Sequence, residues 1–190
     1  ICPLKVQNRK FGRIHYIMPN FTPYNGVYYN YPLKQKYCTK LAFEKDMVNE
    51  LLSQIGPIDY YYQKFEPGFT NWLPYYWNDF KQTTTYTYRI CDLRDMTAIY
   101  NDFQQNIRGD IRKAEKKCVS VVESDDLDLF YNIANKTFER QSKAMNYTLN
   151  DLRRIDDACK ARGCRKILMA KDGNGNIHCA SYLVWDVQTM

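Results

Sequence analysis

The sequence predicts an α+β fold of mainly antiparallel sheets flanked by helices. Three observations predict it. β-rich runs come in pairs around turn signals, as at residues 164–171 and 177–187. Helical periodicity of three and four is confined to a few longer stretches. No strand–helix–strand unit recurs at a regular spacing, so a doubly wound parallel sheet is not indicated.

The elements follow in order. Residues 4–7 and 14–18 read as a hairpin around Asn8-Arg9-Lys10-Phe11-Gly12. Residues 19–26 form a loop with two prolines and a glycine, followed by extended chain at 28–31. Residues 40–55 form a helix with Leu41, Phe43, Met47, Leu51 and Leu52 on one side. Gly56 and Pro57 stop it. The run I-D-Y-Y-Y-Q-K-F at 58–65 reads as a strand with Tyr61 facing opposite to Tyr60 and Tyr62. A loop at 66–71 leads to a short aromatic helix or turn at 72–80, where Trp72 and Trp77 are expected to pack in the core. Residues 82–91, Q-T-T-T-Y-T-Y-R-I-C, read as a strand.

Asp92 or Asp95 caps the next helix, which runs to about Lys117 with Gly109 as its weak point. Tyr100, Phe103, Ile107, Ile111, Ala114 and Cys118 share one face of it. A strand at 119–123 precedes Ser124-Asp125-Asp126, which caps a helix carrying Leu127, Phe130, Tyr131, Ala134 and Phe138. Residues 142–147 are a linker. Thr148 caps a third helix carrying Leu149, Leu152, Ile155 and Cys159, ended by Gly163. Asp172-Gly173-Asn174-Gly175 then joins the last two strands as a hairpin. The division expected is 1–91, a connecting helix at 92–118, and 119–190. First and last residues both read as strands, so we expect a stretch of a longer protein.

The net charge of +6 permits an anionic ligand but is too diffuse to imply DNA. Half of it sits in Ile107 to Lys117, where five bases oppose Asp110 and Glu115. Arg108, Arg112 and Lys113 suit phosphate or carboxylate groups, which guanidinium binds bidentately. The bland alternative is a solvated helix face whose basic last turn complements the helix dipole. Seven cysteines without a C-x-x-C read as reduced, buried thiols of a cytoplasmic protein. The two histidines, His15 and His178, have no partner at metal-ligand spacing. No run reaches transmembrane length and no secretory signal is visible.

Several strings in this chain are ordered motifs. They are F-T-N-W-L-P-Y-Y-W-x-x-F-K-Q from Phe69 to Gln82, then Y-T-Y-x-I-x-D-L, N-I-R-x-D-I-R-K-A-E-K, T-F-E-R-Q from Thr137 to Gln141, and A-S-Y-L-V-W-D. Together, over nearly the whole chain, they resemble the Fem-type branch of the GNAT acyltransferase superfamily. The resemblance implies parts of two tandem GNAT units: the back of one in residues 2–90 and the front of the next, β-α-α-β-β, in 119–187. It implies N-acyl or aminoacyl transfer to an amine, with peptidoglycan precursors among the acceptors. The donor would be acyl-CoA or aminoacyl-tRNA. No acyl-CoA site is expected within these residues, because the turn near 19–32 lacks the glycine pattern that cradles phosphates and its prolines remove N–H donors.

The resemblance makes Arg108, Arg112 and Lys113 the candidate contacts for an anionic, sugar-bearing cell-wall precursor. Tyr24, in the P-x-T-P-Y-N-G loop, is a further substrate candidate or a cover for the core edge. Arg140 and Gln141 either contact substrate or cap the end of their helix. No general base and no nucleophile is identifiable. The rival reading is a non-catalytic module binding tRNA or single-stranded nucleic acid through the basic helix and tyrosines. A third is an interaction half whose exposed sheet edges favour self-association.

Overall fold

The computed structural model describes residues 1–186. The chain forms two compact units that divide between Thr87 and Tyr88. It is α+β, with one three-stranded sheet in each unit.

In the first unit, β1 (Lys5–Asn8) and β2 (Ile14–Ile17) form the expected antiparallel hairpin. Phe11 and Gly12, at φ 63° and 71°, reverse the chain between them. β3 (Tyr60–Tyr61) lies parallel to β2, which is central. The strand expected at 58–65 therefore shrinks to two residues. A strand extends only as far as its partner. Beyond Tyr62, whose N–H still donates to the Tyr16 carbonyl at 2.9 Å, the chain turns to meet Asn25, whose N–H reaches the Lys64 carbonyl.

α1 (Tyr37–Gln54) buries Glu44 and Val48, and Gly56 ends it at φ +72°. Its inward face differs from expectation, since Met47 is 38% exposed. Hydropathy assigns Glu44 to solvent, yet its carboxylate is satisfied inside by Tyr31 Oη and Asn71 Nδ2, both at 2.7 Å. α2 (Leu73–Tyr76) buries Pro74 and Tyr75. Tyr75 packs among Phe65, Phe69, Phe80 and Tyr61, with Phe65 and Phe69 stacked at 4.0 Å. The tryptophans do not lead this core, as Trp77 is 60% exposed. Five residues apart, at the two ends of α2, they diverge by about 140° and leave the inward position to Tyr75.

Residues 82–91 are not a strand. Tyr86 and Tyr88 are 95% and 104% exposed, and this stretch has no ladder partner among the described residues. β-forming composition states a preference for a pleated, packed surface; without one, no strand forms.

In the second unit the long helix is two. α3 (Met96–Asp102) is capped by Asp95, which accepts from the Ala98 N–H at 2.9 Å. α4 (Gln105–Lys116) follows a break at Phe103 and Gln104, with ψ 143° and 149°. The break is there rather than at Gly109. Arg108 bridges it, donating Nη1 to the Asn101 carbonyl at 3.0 Å and so satisfying a carbonyl at the end of α3.

β4 (Ser120–Ser124), α5 (Leu127–Arg140), α6 (Leu149–Ala161), β5 (Arg165–Lys171) and β6 (Ile177–Val184) complete the unit. The sheet is antiparallel in the order β4-β5-β6. Asp126 caps α5, and a Thr148–Asp151 capping box opens α6. The strand expected to reach Val187 ends at Val184; Val187 itself lies outside the described residues. Leu127, Leu152, Ile167 and Met169 form the core, with Phe130, Tyr131 and Tyr182 against it.

All seven cysteines are unpaired, but none is buried, contrary to expectation. Cys91 sits in the strand-free segment and Cys118 on a turn at φ +54°, where apolar sequence neighbours provide no cover. No helix among the described residues is long and apolar enough to cross a membrane.

Candidate functional site

The site begins with a register shift. Ala170 pairs with Cys179, but Lys171 pairs with Ile177, so His178 is the extra residue of a β-bulge. A bulge takes a side chain out of strict alternation and re-aims it. Here the imidazole is turned back on the hairpin, and His178 Nε2 lies 2.8 Å from Asp172 Oδ2. Asp172 also accepts from the N–H groups of Asn174 and Asn176, both at 2.9 Å, and from Asn176 Nδ2 at 3.1 Å. The hydrogen bond from His178, then those from Asn176, hold its carboxyl well below the usual carboxylate range. Gly175 closes the turn at φ +92°, a conformation that favours glycine.

Two depressions open on either side of His178. One, about 520 Å³, is lined by Ile133, Lys136, Glu139, Arg140, Ile177 and His178. The other, about 700 Å³, is lined by Lys116, Lys117, Cys118, Asp172, Asn174 and His178, among others. The ends of α4 and α5 thus bring four fixed cations to one histidine. Both carboxylates in the walls are engaged, Asp172 as above and Glu139 by Asn135 Nδ2 at 2.6 Å. Among the described residues Lys116, Lys117 and Lys136 make no ion pair, and Arg140 Nη2 donates to Thr137 Oγ1 at 3.1 Å. The arrangement can hold an anion and present an oriented imidazole beside it.

The chain matches no known protein family, no curated protein and no solved structure. Among the described residues, no three of His, Cys, Asp and Glu gather where a metal ion could sit.

Of the residues singled out from sequence, Arg140 lines the first depression. Gln141 ends α5, its N–H capping the Phe138 and Glu139 carbonyls. Arg108 is half-buried and bound to Asn101, Lys113 pairs with Asp110 at 3.0 Å, and Arg112 is exposed. These three lie on α4 and do not line either depression. Tyr24 is in the first unit, 37% exposed. His15 also belongs there, its ring 5.1 Å from that of Tyr60. Sequence reasoning missed His178, Asp172 and Lys136. The signal available was an aspartate opening D-G-N-G with a histidine six residues on, which a bulged hairpin brings to one side.

Proposed function

We propose that this chain is part of a cytoplasmic acyl- or aminoacyltransferase of the GNAT/Fem type, acting on an amine of an anionic precursor such as a cell-wall intermediate. The observation that carries the reading is the run β4-α5-α6-β5-β6 with an antiparallel sheet in that spatial order. It is the order that the resemblance implies for the front of a GNAT unit. The basic residues of α4, Arg108, Arg112 and Lys113, fit the role of substrate phosphate contacts in this reading. The acceptor amine attacks the thioester carbonyl of acyl-CoA or the ester carbonyl of aminoacyl-tRNA. A C–N bond forms, the C–S or C–O bond breaks, and the amine proton leaves with the thiol or hydroxyl. The protein's main contribution is orientation.

Because no acyl-CoA site is expected within these residues, the test incubates the full-length protein with acetyl-CoA or aminoacyl-tRNA and UDP-muramyl peptides, with product mass and thermal shift as readouts. Amide product, reduced at least tenfold by Arg112→Ala, is the expected result. No stabilisation by any donor and no product would sink the reading.

The exposed Tyr86 and Tyr88, in a stretch that also carries Lys81 and Arg89, favour a second reading. They suit base stacking by single-stranded nucleic acid or tRNA. That reading requires generic RNA binding that falls steeply with salt and is lost in a Tyr86→Ala/Tyr88→Ala variant.

A further inference from the structure

We infer that the two depressions around His178 form one groove for a small phosphate-bearing ligand, held by Lys136 and Arg140 on one side and Lys116 and Lys117 on the other. This stands without the transferase reading. Lys136 and Arg140 are one helical turn apart, a like-charge spacing that disfavours the helix when nothing lies between them. Glu139, beside them, is held by Asn135. The dipole of α5 accounts for a basic last turn. It does not account for the end of a second helix, α4, bringing two more unpaired lysines to the same histidine. On each side two full positive charges stand against one lining carboxylate, Glu139 or Asp172, and about half a negative charge from the helix C-terminus, which leaves a small positive surplus. The balance favours an anion.

Ile133 and Ile177 supply an apolar floor in the first depression. A Cβ on Gly173 would sit 3.5 Å from Cys118 Cβ, so the hairpin turn lies against the exit of α4 and holds the two walls together. Asp172 is a positioning residue. It fixes the ring of His178 and leaves Nδ1 to donate to, or accept from, a bound group. Guanidinium and ammonium groups in two clusters suit phosphoryl oxygens better than a single carboxylate, because one carboxylate cannot engage both.

Inorganic pyrophosphate is the probe, titrated into the full chain and followed by amide and imidazole NMR shifts. The expected shifts are confined to residues 116–118, 133–141 and 172–178. Lys136→Ala/Arg140→Ala should weaken binding at least tenfold, and Lys116→Ala/Lys117→Ala should weaken it too. Arg154→Ala, exposed on α6 and outside the groove, should leave it unchanged. Should the first pair disturb folding, Lys136→Glu alone replaces it. Shifts scattered over other basic residues, or loss of binding in the Arg154 variant only, overturn the inference. RNA binding through these shifts with no response to pyrophosphate overturns it as well. Localised pyrophosphate binding without acyl transfer sinks the transferase reading and leaves this one intact; transfer without localised binding does the reverse.

Discussion

Asp156→Ala should destabilise the second unit by about 3 kcal/mol, the lower end of the cost of orphaning one member of a buried ion pair. Asp156 on α6 is 6% exposed, and the Arg165 side chain on β5 is also 6% exposed. Arg165 Nε lies 2.9 Å from Asp156 Oδ1, and the same oxygen accepts the Tyr182 hydroxyl of β6 at 2.8 Å. Removing the carboxylate therefore leaves the phenol without its acceptor and the guanidinium with Asp125 alone. The phenol alone accounts for about 1.5 kcal/mol, the low end for a hydrogen bond to a charged group. The two costs share one oxygen and do not add. Arg165 also keeps a second partner, Asp125 at 2.5 Å, which holds the cost near about 3 rather than about 5 kcal/mol. The assay is native-state exchange of the Ile167 and Met169 amides against urea, which reports on this unit alone. Tyr182→Phe should cost about half as much as Asp156→Ala. Asp156→Leu/Arg165→Met should cost less than Asp156→Ala, because no charge is left unpaired. An Asp156→Ala cost below about 1 kcal/mol would refute the reasoning, since it would mean that water already screens the pair.

Two further outcomes follow from other carboxylates. Asp172 has its folded-state value depressed, so its contribution is present above the ordinary carboxylate value of about 4 and is lost as pH falls through the lower folded value. The Asn174 and Asn176 amide shifts should hold from about pH 7 to below about pH 4 and collapse in stronger acid; Asp172→Asn should show no such transition. Glu44→Ala leaves Tyr31 and Asn71 without their acceptor inside the first unit and should cost about 2 kcal/mol, read from exchange of the Val48 amide. Glu44→Gln, which keeps an acceptor oxygen, should cost less than half of that.

What was legible in the sequence was what neighbours in the chain decide. The cap in Ser124-Asp125-Asp126, the Thr148 cap and the D-G-N-G turn are satisfied within a few residues of themselves, and each stands as read. The failures share a different cause. Residues 82–91 have strand composition but no partner, α1 turns Glu44 and Val48 inward rather than Met47 because Tyr31 and Asn71 meet the carboxylate from elsewhere in the chain, and the long helix breaks where Arg108 can reach back to Asn101. Each depends on a group that is distant, or on a geometry that periodicity does not encode.

The groove follows the same division. Arg140 was visible as a basic helix end, but its neighbour across the groove was not. His178 stands beside Lys136 and Arg140 only because one residue is slipped between the Ala170–Cys179 and Lys171–Ile177 pairs. In regular alternation the imidazole would share its orientation with Asn176 and Ala180, and Ala180 packs on the core. The slip, anchored by four hydrogen bonds to Asp172, releases His178 from that face. Deleting Asn176 to restore a plain hairpin would therefore remove the imidazole from both depressions while leaving every lysine in place, which separates the histidine's part in anion binding from that of bulk charge.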